Sequence, residues 1–310
     1  MKVHSIHFDI DQIFFTNLEN TPNGLFLNYI NSISSNDLSP IDLENINNYP
    51  QITDELIRIC LEAGDADSIA ITLPTESVLL SYIPGDINME SSQIKQMIEL
   101  EINNSFPENS IDDFTIILYD FAEKMDGNKM MIAAIIPNIF LRNINNILAP
   151  VGLPISKINI SQFANNNSLL YNYPEQKEKA VALLNFEKEY IDLTVMKYGK
   201  PIYLSKIYYD STEEIATILE DEFNIIMTNY VDYVETAFLC GKYLTADILQ
   251  RGEAKLAEFL MTGVRLNTFK MIRTNLEQRE KDYCARTAHI YSSSIGAILP
   301  NIGNESVFKY

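Results

Sequence analysis

The sequence has 310 residues, with 42 acidic and 23 basic side chains that give a formal net charge of −19 at pH 7. Hydrophobic residues make up 46% and charged residues 21%, values typical of a globular protein, and the length suffices for two domains with separate cores. The negative charge disfavours nucleic acid or anionic lipid as a direct partner, because such contacts need clustered lysine and arginine. The 3 cysteines lack metal-binding spacing, and no apolar run reaches the roughly 18 to 20 residues of a membrane span. We therefore expect a cytosolic protein that holds no metal and does not insert into a membrane.

The first elements in chain order are a predicted three-stranded meander and a helix. Alternating apolar residues at 4–10, a reversal at Asp11-Gln12 and a returning segment at 13–18 predict a hairpin. Asn23-Gly24 predicts the turn to a third strand at 25–30, and the polar segment 31–50 predicts a loop. A helix is predicted from an N-cap at Thr53 to Gly64, followed by a buried strand at 68–73.

A different unit is predicted at 76–155. Strands at 78–83, 115–121 and 130–136 and helices at 93–105 and 138–148 indicate a small α+β insertion, with a loop at 125–128. Met97 and Ile98 lie on the apolar stripe of the first of these helices. Such a stripe is more often part of a core, but it is also a candidate surface for a partner peptide.

The meander and helix then recur about 175 residues later. Strands are predicted at 180–186, 190–197 and 201–207, and Ser211 and Glu214 have the spacing of a helix capping box. Helices at 228–242 and 253–261, with a short strand at 246–249 between them, are expected next. Small residues at 282–299, including Gly296, predict an element that packs closely against a neighbour or borders a cleft.

The repeat indicates a duplicated two-domain α/β protein. We assign residues 1–75, about 156–178 and the C-terminal helix to the first domain, 76–155 to its insertion, and 179–280 to the second domain with its helical region.

Both halves place acids in the turn after their first strand. The first turn reads Asp9-Ile10-Asp11-Gln12 and the second reads Asn185-Phe186-Glu187. A phosphate-binding turn needs glycine there, because backbone N–H groups must approach the anion closely and a carboxylate repels it. Asp9 and Asp11 are interpreted either as turn acids that accept bonds from nearby backbone N–H groups, which is the commoner use, or as the remnant of a cation site.

This plan resembles the actin-like (ribonuclease H-like) superfamily, and the insertion in the first domain resembles that of its FtsA and PilM branch. Short strings similar to the PilM type occur in order along the chain: Ser81-Tyr82-Ile83-Pro84, Phe106-Pro107, Asp112-Asp113-Phe114-Thr115-Ile116, Ala182-Leu183-Leu184, Tyr203-Leu204-Ser205-Lys206 and Ser294-Ile295-Gly296-Ala297. The resemblance implies a cytoplasmic scaffold of a type IV pilus or related secretion machine. Such a scaffold is peripheral at the inner membrane, where it binds the cytoplasmic tail of a PilN-like single-span protein in a groove that involves the insertion and the first domain.

The departures from that family concern its nucleotide. Glycine is replaced in both phosphate turns, and the nearest counterpart of the family's adenosine loop is Gln250-Arg251-Gly252-Glu253. We therefore expect a pseudo-ATPase that has lost its nucleotide and needs no cofactor. Its degenerate cleft is expected to contain Asp9, Asp11, Gln12, Asn185, Glu187, Arg251, Gly252, Glu253 and Gly296.

Two alternatives remain open at the level of sequence. The first is an active ATPase or phosphotransferase with altered phosphate turns, in which Asp9 positions Mg²⁺ and Arg251 neutralises phosphate of ATP. The second is the same fold in a secretion or cell-division system with another membrane partner. The sequence also leaves self-association open.

Overall fold

The computed structural model describes residues 1–9, 11–34, 43–44, 50–84, 90–121, 130–300 and 305–308. Three β-sheets form its framework. The first sheet has the strand order Arg273–Thr274 (β14), Gly24–Ser34 (β3), Gln12–Thr21 (β2), Lys2–Phe8 (β1), Ser68–Leu73 (β4) and Ile155–Ile160 (β8). The second has the order Lys200–Tyr208 (β11), Tyr190–Lys197 (β10), Ala180–Phe186 (β9), Thr236–Cys240 (β12) and Thr262–Arg265 (β13). The third has the order Glu305–Phe308 (β15), Phe114–Asp120 (β6), Met130–Pro137 (β7) and Leu79–Pro84 (β5).

The helices connect and cover these sheets. In chain order they are Pro50–Ala63 (α1), Ser91–Ser105 (α2), Asn138–Leu148 (α3), Ser161–Asn172 (α4), Ile215–Asn229 (α5), Ala246–Glu258 (α6), Gln278–Thr287 (α7) and Ser292–Gly296 (α8).

The two large sheets share one topology. In each, an antiparallel meander (β1–β3 or β9–β11) is extended on the side of its first strand by two parallel strands, β4 and β8 or β12 and β13. This confirms the predicted duplication. The pairing of β14 with β3 brings residues 273–274 into the first sheet, so the chain has already returned to the first half before residue 280.

Local sequence explains most of these boundaries. The β10–β11 turn consists of Tyr198 and Gly199, both at positive φ (52° and 71°), as a two-residue type I′ hairpin requires. Gly64 ends α1 at φ 78°, as expected, but α1 begins at Pro50, so the predicted N-cap at Thr53 is wrong. Proline is well suited to a first helical turn because it lacks the N–H that would have no partner there.

The C-terminal third differs from its prediction. Residues 228–242, predicted as one helix, form instead the end of α5 and all of β12. Every residue of β12 is buried, and the strand lies between two parallel neighbours. Such a strand has an unbroken apolar pattern, which periodicity does not distinguish from a helix. The predicted strand at 246–249 is the start of α6, where Thr245 accepts the N–H of Ile248 and caps the helix.

The predicted capping box is also absent, because α5 begins only at Ile215 and Glu214 makes no side-chain cap bond. The prediction for the loop at 125–128, and most of that for 31–50, lies outside the described residues.

Each half has its own apolar core, and the insertion has a third, formed by α2 and one face of its sheet. Helix α4 lies between the halves and is buried around almost its entire circumference, although it carries Gln162, four asparagines and two serines. It crosses α8 so closely that a Cβ on Gly296 would lie 1.7 Å from the carbonyl oxygen of Ala164. Gly296 is therefore required for helix packing between the halves, the first of its two predicted uses.

Candidate functional site

Four segments meet where the two halves face each other. They are the β1–β2 turn, the β9–β10 turn, and the segments that follow β4 and β12. Because β1 is parallel to β4, and β9 to β12, the carboxyl ends of these strands lie at the same edge of each sheet. We call the space between the four segments the cleft.

Asp11 crosses the cleft and binds the segment after β12. The ammonium of Lys242 donates to Asp11 Oδ1 at 2.5 Å, and the Tyr243 hydroxyl donates to Oδ2 at 2.9 Å. Burial acts to raise the pKa of Asp11, but the bonds from Lys242 and Tyr243 outweigh it and hold the pKa below its ordinary value. The carboxylate that we expected to repel phosphate therefore joins the two halves of the molecule. We call this contact the Asp11 bridge.

Gly241 allows the segment after β12 to lie directly on the end of β9. It has φ 106°, and a Cβ there would lie 2.4 Å from the carbonyl oxygen of Phe186. The N–H of Tyr243 donates to that same oxygen at 3.2 Å. The cleft therefore does contain a glycine, but the group that lies close against this glycine is the backbone of Phe186.

Other acids at the cleft lie near one another. Glu187 is surrounded by the charges of Asp9, Asp192 and Glu76, and burial together with this repulsion raises the pKa of Glu187 well above its ordinary value. The Asn185 amide donates to Glu187 Oε1 at 2.7 Å and offsets only part of the effect. We call Asp9, Glu76, Glu187 and Asp192 the acidic cluster.

Asp192 is the most deeply buried acid of this cluster, with 2% of its surface exposed. The side chains of Thr75 and Asn185 lie beside its carboxylate, although in the described residues neither meets the full geometry of a hydrogen bond. Burial raises the pKa of Asp192 to about 6, and Lys206 and the polar groups of Thr75 and Asn185 oppose that increase. A carboxyl in this state is destabilising when ionised unless it gains a cationic partner.

The remaining predicted cleft residues lie elsewhere or have other partners. Gln12 donates to the Ser32 hydroxyl at 2.9 Å within the first sheet. Arg251, Gly252 and Glu253 belong to the middle of α6 rather than to a loop, so their assignment to the adenosine-loop position is wrong. Arg251 is paired with Asp247 one turn earlier on the helix surface, and it does not neutralise the cleft acids.

The segment that follows β12 and reaches the cleft is Gly241-Lys242-Tyr243. The sequence analysis placed the first two of these residues at the end of the predicted helix 228–242. The signal that could have identified it is the apolar run 237–240 ending at a glycine, which repeats the pattern of a buried strand followed by a turn.

The predicted partner-binding candidates on α2 lie in a core. Ile98 is fully buried and Met97 packs against the same apolar cluster of the insertion. In this conformation the stripe therefore holds α2 on its sheet and is not available to a peptide.

A groove lies instead between the insertion and the second half. It has a volume of about 220 Å³ and is lined by Thr75, Val78, Leu80, Tyr82, Ile132, Gln162, Leu204, Ser205 and Lys206. Tyr82 reaches across it: its hydroxyl donates to the carbonyl of Leu204 at 2.6 Å and accepts the Leu204 N–H at 2.9 Å. Strand β11 is the last strand of its sheet in the described structure, so Tyr82 satisfies backbone groups of a sheet edge. We call this space the β11 groove.

A larger cavity of about 630 Å³ lies at the other ends of the hairpins, beside Gly24 and Gly199, and none of the cleft residues line it. In the described residues no group of His, Cys, Asp and Glu side chains is arranged to hold a metal ion. No helix of the described structure has the length and apolar character needed to cross a bilayer.

No protein-family model matches the sequence, and no curated protein matches it significantly. Solved structures do match its fold. The structure of a PilM-PilN type IV pilus biogenesis complex is similar with a TM-score of 0.72 and 13% identity, over 96% of this chain and 97% of that one. A Bacteroides thetaiotaomicron protein with actin-like ATPase fold and unknown function is similar with a TM-score of 0.55 and 11% identity, over 86% of this chain and 91% of that one.

These similarities confirm the fold class expected from the sequence and its resemblance to PilM at the level of structure. The chain has the actin-like ATPase fold, in an arrangement that is similar to the PilM-PilN structure over nearly the full length of both chains.

Proposed function

We propose that this chain is a PilM-like scaffold of a type IV pilus or related secretion machine that binds the cytoplasmic tail of a membrane-anchored, PilN-like partner. The observation that carries the proposal is the full-length structural similarity to a PilM-PilN complex. In this function the protein acts in the cytoplasm and reaches the inner membrane through its partner.

The proposal includes the loss of nucleotide chemistry. The Asp11 bridge ties together two of the segments between which a nucleotide would lie, and the only lysine in it is already bound to a carboxylate. An unneutralised carboxylate near a polyphosphate costs on the order of 1 to 4 kcal/mol at surface-like dielectric. The acidic cluster provides several such charges, which supports a scaffold without ATP turnover.

The β11 groove is the site that we propose for the partner's tail. It adjoins the insertion and the first half, it is open, and its walls include Val78, Leu80 and Ile132. An extended peptide there would place apolar side chains against these walls and could exchange backbone bonds with the β11 edge, the usual means by which a short peptide joins a sheet.

Two measurements test the proposal on the full chain. Calorimetry with Mg-ATP is expected to detect no binding, and micromolar affinity together with hydrolysis would instead support an active ATPase. Fluorescence anisotropy with the labelled N-terminal cytoplasmic peptide of a PilN-like single-span protein from the same organism is expected to give saturable binding.

A matched pair of variants locates the binding surface. Leu80→Asp in the groove is expected to weaken peptide binding at least tenfold, because it places a charge against an apolar side chain of the peptide. Leu100→Asp on the outer face of α2, where 59% of Leu100 is exposed, is expected to have no effect. Circular dichroism of both variants checks that they are folded. Equal affinities in the two variants would exclude the β11 groove, and no binding to the wild type would overturn the tail-binding function.

A further inference from the structure

Three large apolar side chains are exposed at one end of the second sheet. Tyr198, Tyr233 and Leu260 are 68%, 50% and 80% exposed. Tyr198 lies in the β10–β11 turn, Tyr233 comes shortly before β12, and Leu260 comes shortly before β13. Because β12 and β13 are parallel to β9 whereas β10 is antiparallel to it, all three residues lie at the end of the sheet opposite the cleft. We call this end of the molecule, together with the cavity of about 630 Å³ beside it, the base.

Two of these side chains lie on backbone that disfavours them. In the described chain, Tyr198 and Leu260 are the residues other than glycine that have positive φ, at 52° and 60°. Left-handed backbone is costly for a bulky side chain, whereas glycine adopts it readily. Leu260 also occupies the position just after the C-cap of α6, where glycine is the usual residue. A strained position that exposes a large apolar group to water is typical of a binding surface, where a contact offsets both costs.

The base also contains a recess for an apolar group. The cavity lies between the two halves, with the exposed Tyr198 at its rim and Leu25, Leu170 and Ile298 among its walls. Leu260 does not line the cavity of its own chain. Three strand spacings, from β10 to β13, separate the two features by about 15 Å. A protruding leucine and an apolar recess therefore lie side by side on one surface.

The cavity has a charge opposite in sign to that of the whole chain. Its charged lining residues are Lys177, Lys200 and Glu178, although the sequence has 42 acidic and only 23 basic side chains. None of the ion pairs found in the described residues includes either lysine. The two ammonium groups are therefore available to a carboxylate of a partner.

An acid lies beside the protruding leucine. The Tyr233 hydroxyl donates to the carbonyl oxygen of Leu260 at 3.4 Å, which places the loop before β12 next to Leu260. Asp232 belongs to that loop, and no ion pair within the described part of the chain includes it. The lysines beside the cavity and the acid beside the leucine are thus complementary in charge.

These features favour a second copy of the chain as the partner. A surface that carries both a protrusion and a matching recess is complementary to itself when a two-fold axis passes between them. The leucine of each copy then enters the cavity of the other, and the charges of opposite sign approach each other. A small molecule in the cavity would leave Tyr233 and Leu260 exposed to water, so it would not account for the strain at Leu260.

We propose that two copies of this chain associate base to base about a two-fold axis, with Leu260 of each copy in the cavity of the other. Lys177 and Lys200 bind Asp232 of the second copy, and the axis passes close to the starts of β9 and β12. None of the residues that line the β11 groove belongs to the base, so both copies remain able to bind a tail. The dimer is therefore independent of the proposed function.

Sedimentation velocity of the full chain, from micromolar to submillimolar concentration, tests for this dimer. Physiological ionic strength is used, because salt then screens the long-range repulsion between two acidic chains. The wild type is expected to convert from monomer to dimer over this range. Leu260→Asp should weaken the dimer at least tenfold, because it places a carboxylate against apolar walls. Leu100→Asp, at another exposed leucine, is the matched control and should leave the dimer unchanged.

A second variant separates loss of the contact from misfolding. Leu260→Gly should also weaken the dimer at least tenfold, since it removes the side chain that enters the cavity. Thermal unfolding at a concentration where both proteins are monomeric should show a variant no less stable than the wild type, because glycine relieves the backbone strain at this position.

A charge reversal tests the pairing across the axis. Asp232→Lys should weaken the dimer several-fold, although it lowers the net negative charge, and combining it with Lys177→Asp and Lys200→Asp should restore the affinity. Asp247→Lys, at the start of α6 and away from the base, changes the net charge by the same amount and should not weaken the dimer. A purely structural effect of Asp232→Lys would not be reversed by the combined variant.

The outcomes are distinct. A wild-type chain that stays monomeric at every concentration would overturn the proposal and leave the base to another partner. A dimer that both Leu260 variants leave unchanged would also overturn it, because the contact would then lie elsewhere. Loss of the dimer in both variants, with Leu100→Asp unaffected, would support the base-to-base arrangement. The tail-binding assays have a separate outcome, since the β11 groove is intact in all of these variants.

Discussion

Removal of the Asp11 carboxylate should destabilise the protein, because that group joins the two halves across the cleft. The perturbation is a double-mutant cycle of Asp11→Ala and Lys242→Ala, with Tyr243→Phe to remove the second bond alone. Lys242 and Asp11 are 231 positions apart in sequence, so no local helix or turn accounts for their contact.

The magnitude follows from burial and from the number of bonds. A hydrogen bond to a charged group contributes roughly 1.5 to 3 kcal/mol when it is buried, whereas an exposed ion pair contributes roughly 0.2 to 1 kcal/mol. The side chains of Lys242 and Asp11 are 24% and 35% exposed, between these limits. We therefore expect a coupling free energy of about 1 kcal/mol between them, and a total loss of about 2 kcal/mol for Asp11→Ala, which also loses the bond from Tyr243.

The assay is urea unfolding at pH 7 in low and high salt. The coupling should decrease in high salt, because the pair is partly exposed and mobile ions screen it. The control cycle is Arg251 with Asp247, an exposed pair within one helix, for which we expect about 0.3 to 0.5 kcal/mol. A coupling between Asp11 and Lys242 no larger than that of the control pair would refute the reasoning, because the halves would then not be joined by this bridge in solution.

Two further predictions concern packing and pH. Gly296→Ala should destabilise the protein by more than about 3 kcal/mol in thermal unfolding, since the added Cβ meets the backbone of Ala164. The control Gly252→Ala, whose Cβ would lie 3.2 Å from a Leu239 methyl group, should change stability by less than about 1 kcal/mol. Similar losses of stability in the two variants would show that α4 and α8 can separate. Because the pKa of Asp192 is raised to about 6, its stabilising contribution is complete below the unfolded-state pKa near 4 and is lost as the pH rises through 6. Asp192→Asn should therefore be more stable than the wild type by about 2 to 3 kcal/mol at pH 7 but not at pH 4, and parallel pH profiles of the two proteins would contradict this.

Much of the fold could be predicted because its signals are local. The two meanders follow from alternation and turn residues, and strands β4, β9 and β10 and helix α3 have the predicted bounds. Their repetition identified the duplicated architecture, and the small residues around Gly296 predicted a close contact, which α4 provides.

The errors occurred where a local pattern fits two structures. Strand β12 has an unbroken apolar pattern because parallel neighbours bury both of its faces, and the start of α6 contains apolar residues that also suit a short strand. Because of those two errors, residues in the interior of a helix were predicted to lie at the cleft in place of Gly241-Lys242-Tyr243.

The sequence by itself determined that the turns at Asp11 and Glu187 are equivalent and acidic, since that information lies in a few consecutive residues of each half. Only the tertiary structure decided what the acids do. Asp11 gains an ammonium and a hydroxyl from the other half, whereas Glu187 is buried beside further negative charge and Asp192 is buried with only partial compensation from Lys206. The physical reason is that the free energy of a carboxylate depends on which charges and dipoles lie within a few ångströms, and here those groups come from segments that are distant in sequence and meet only when the halves close over α4.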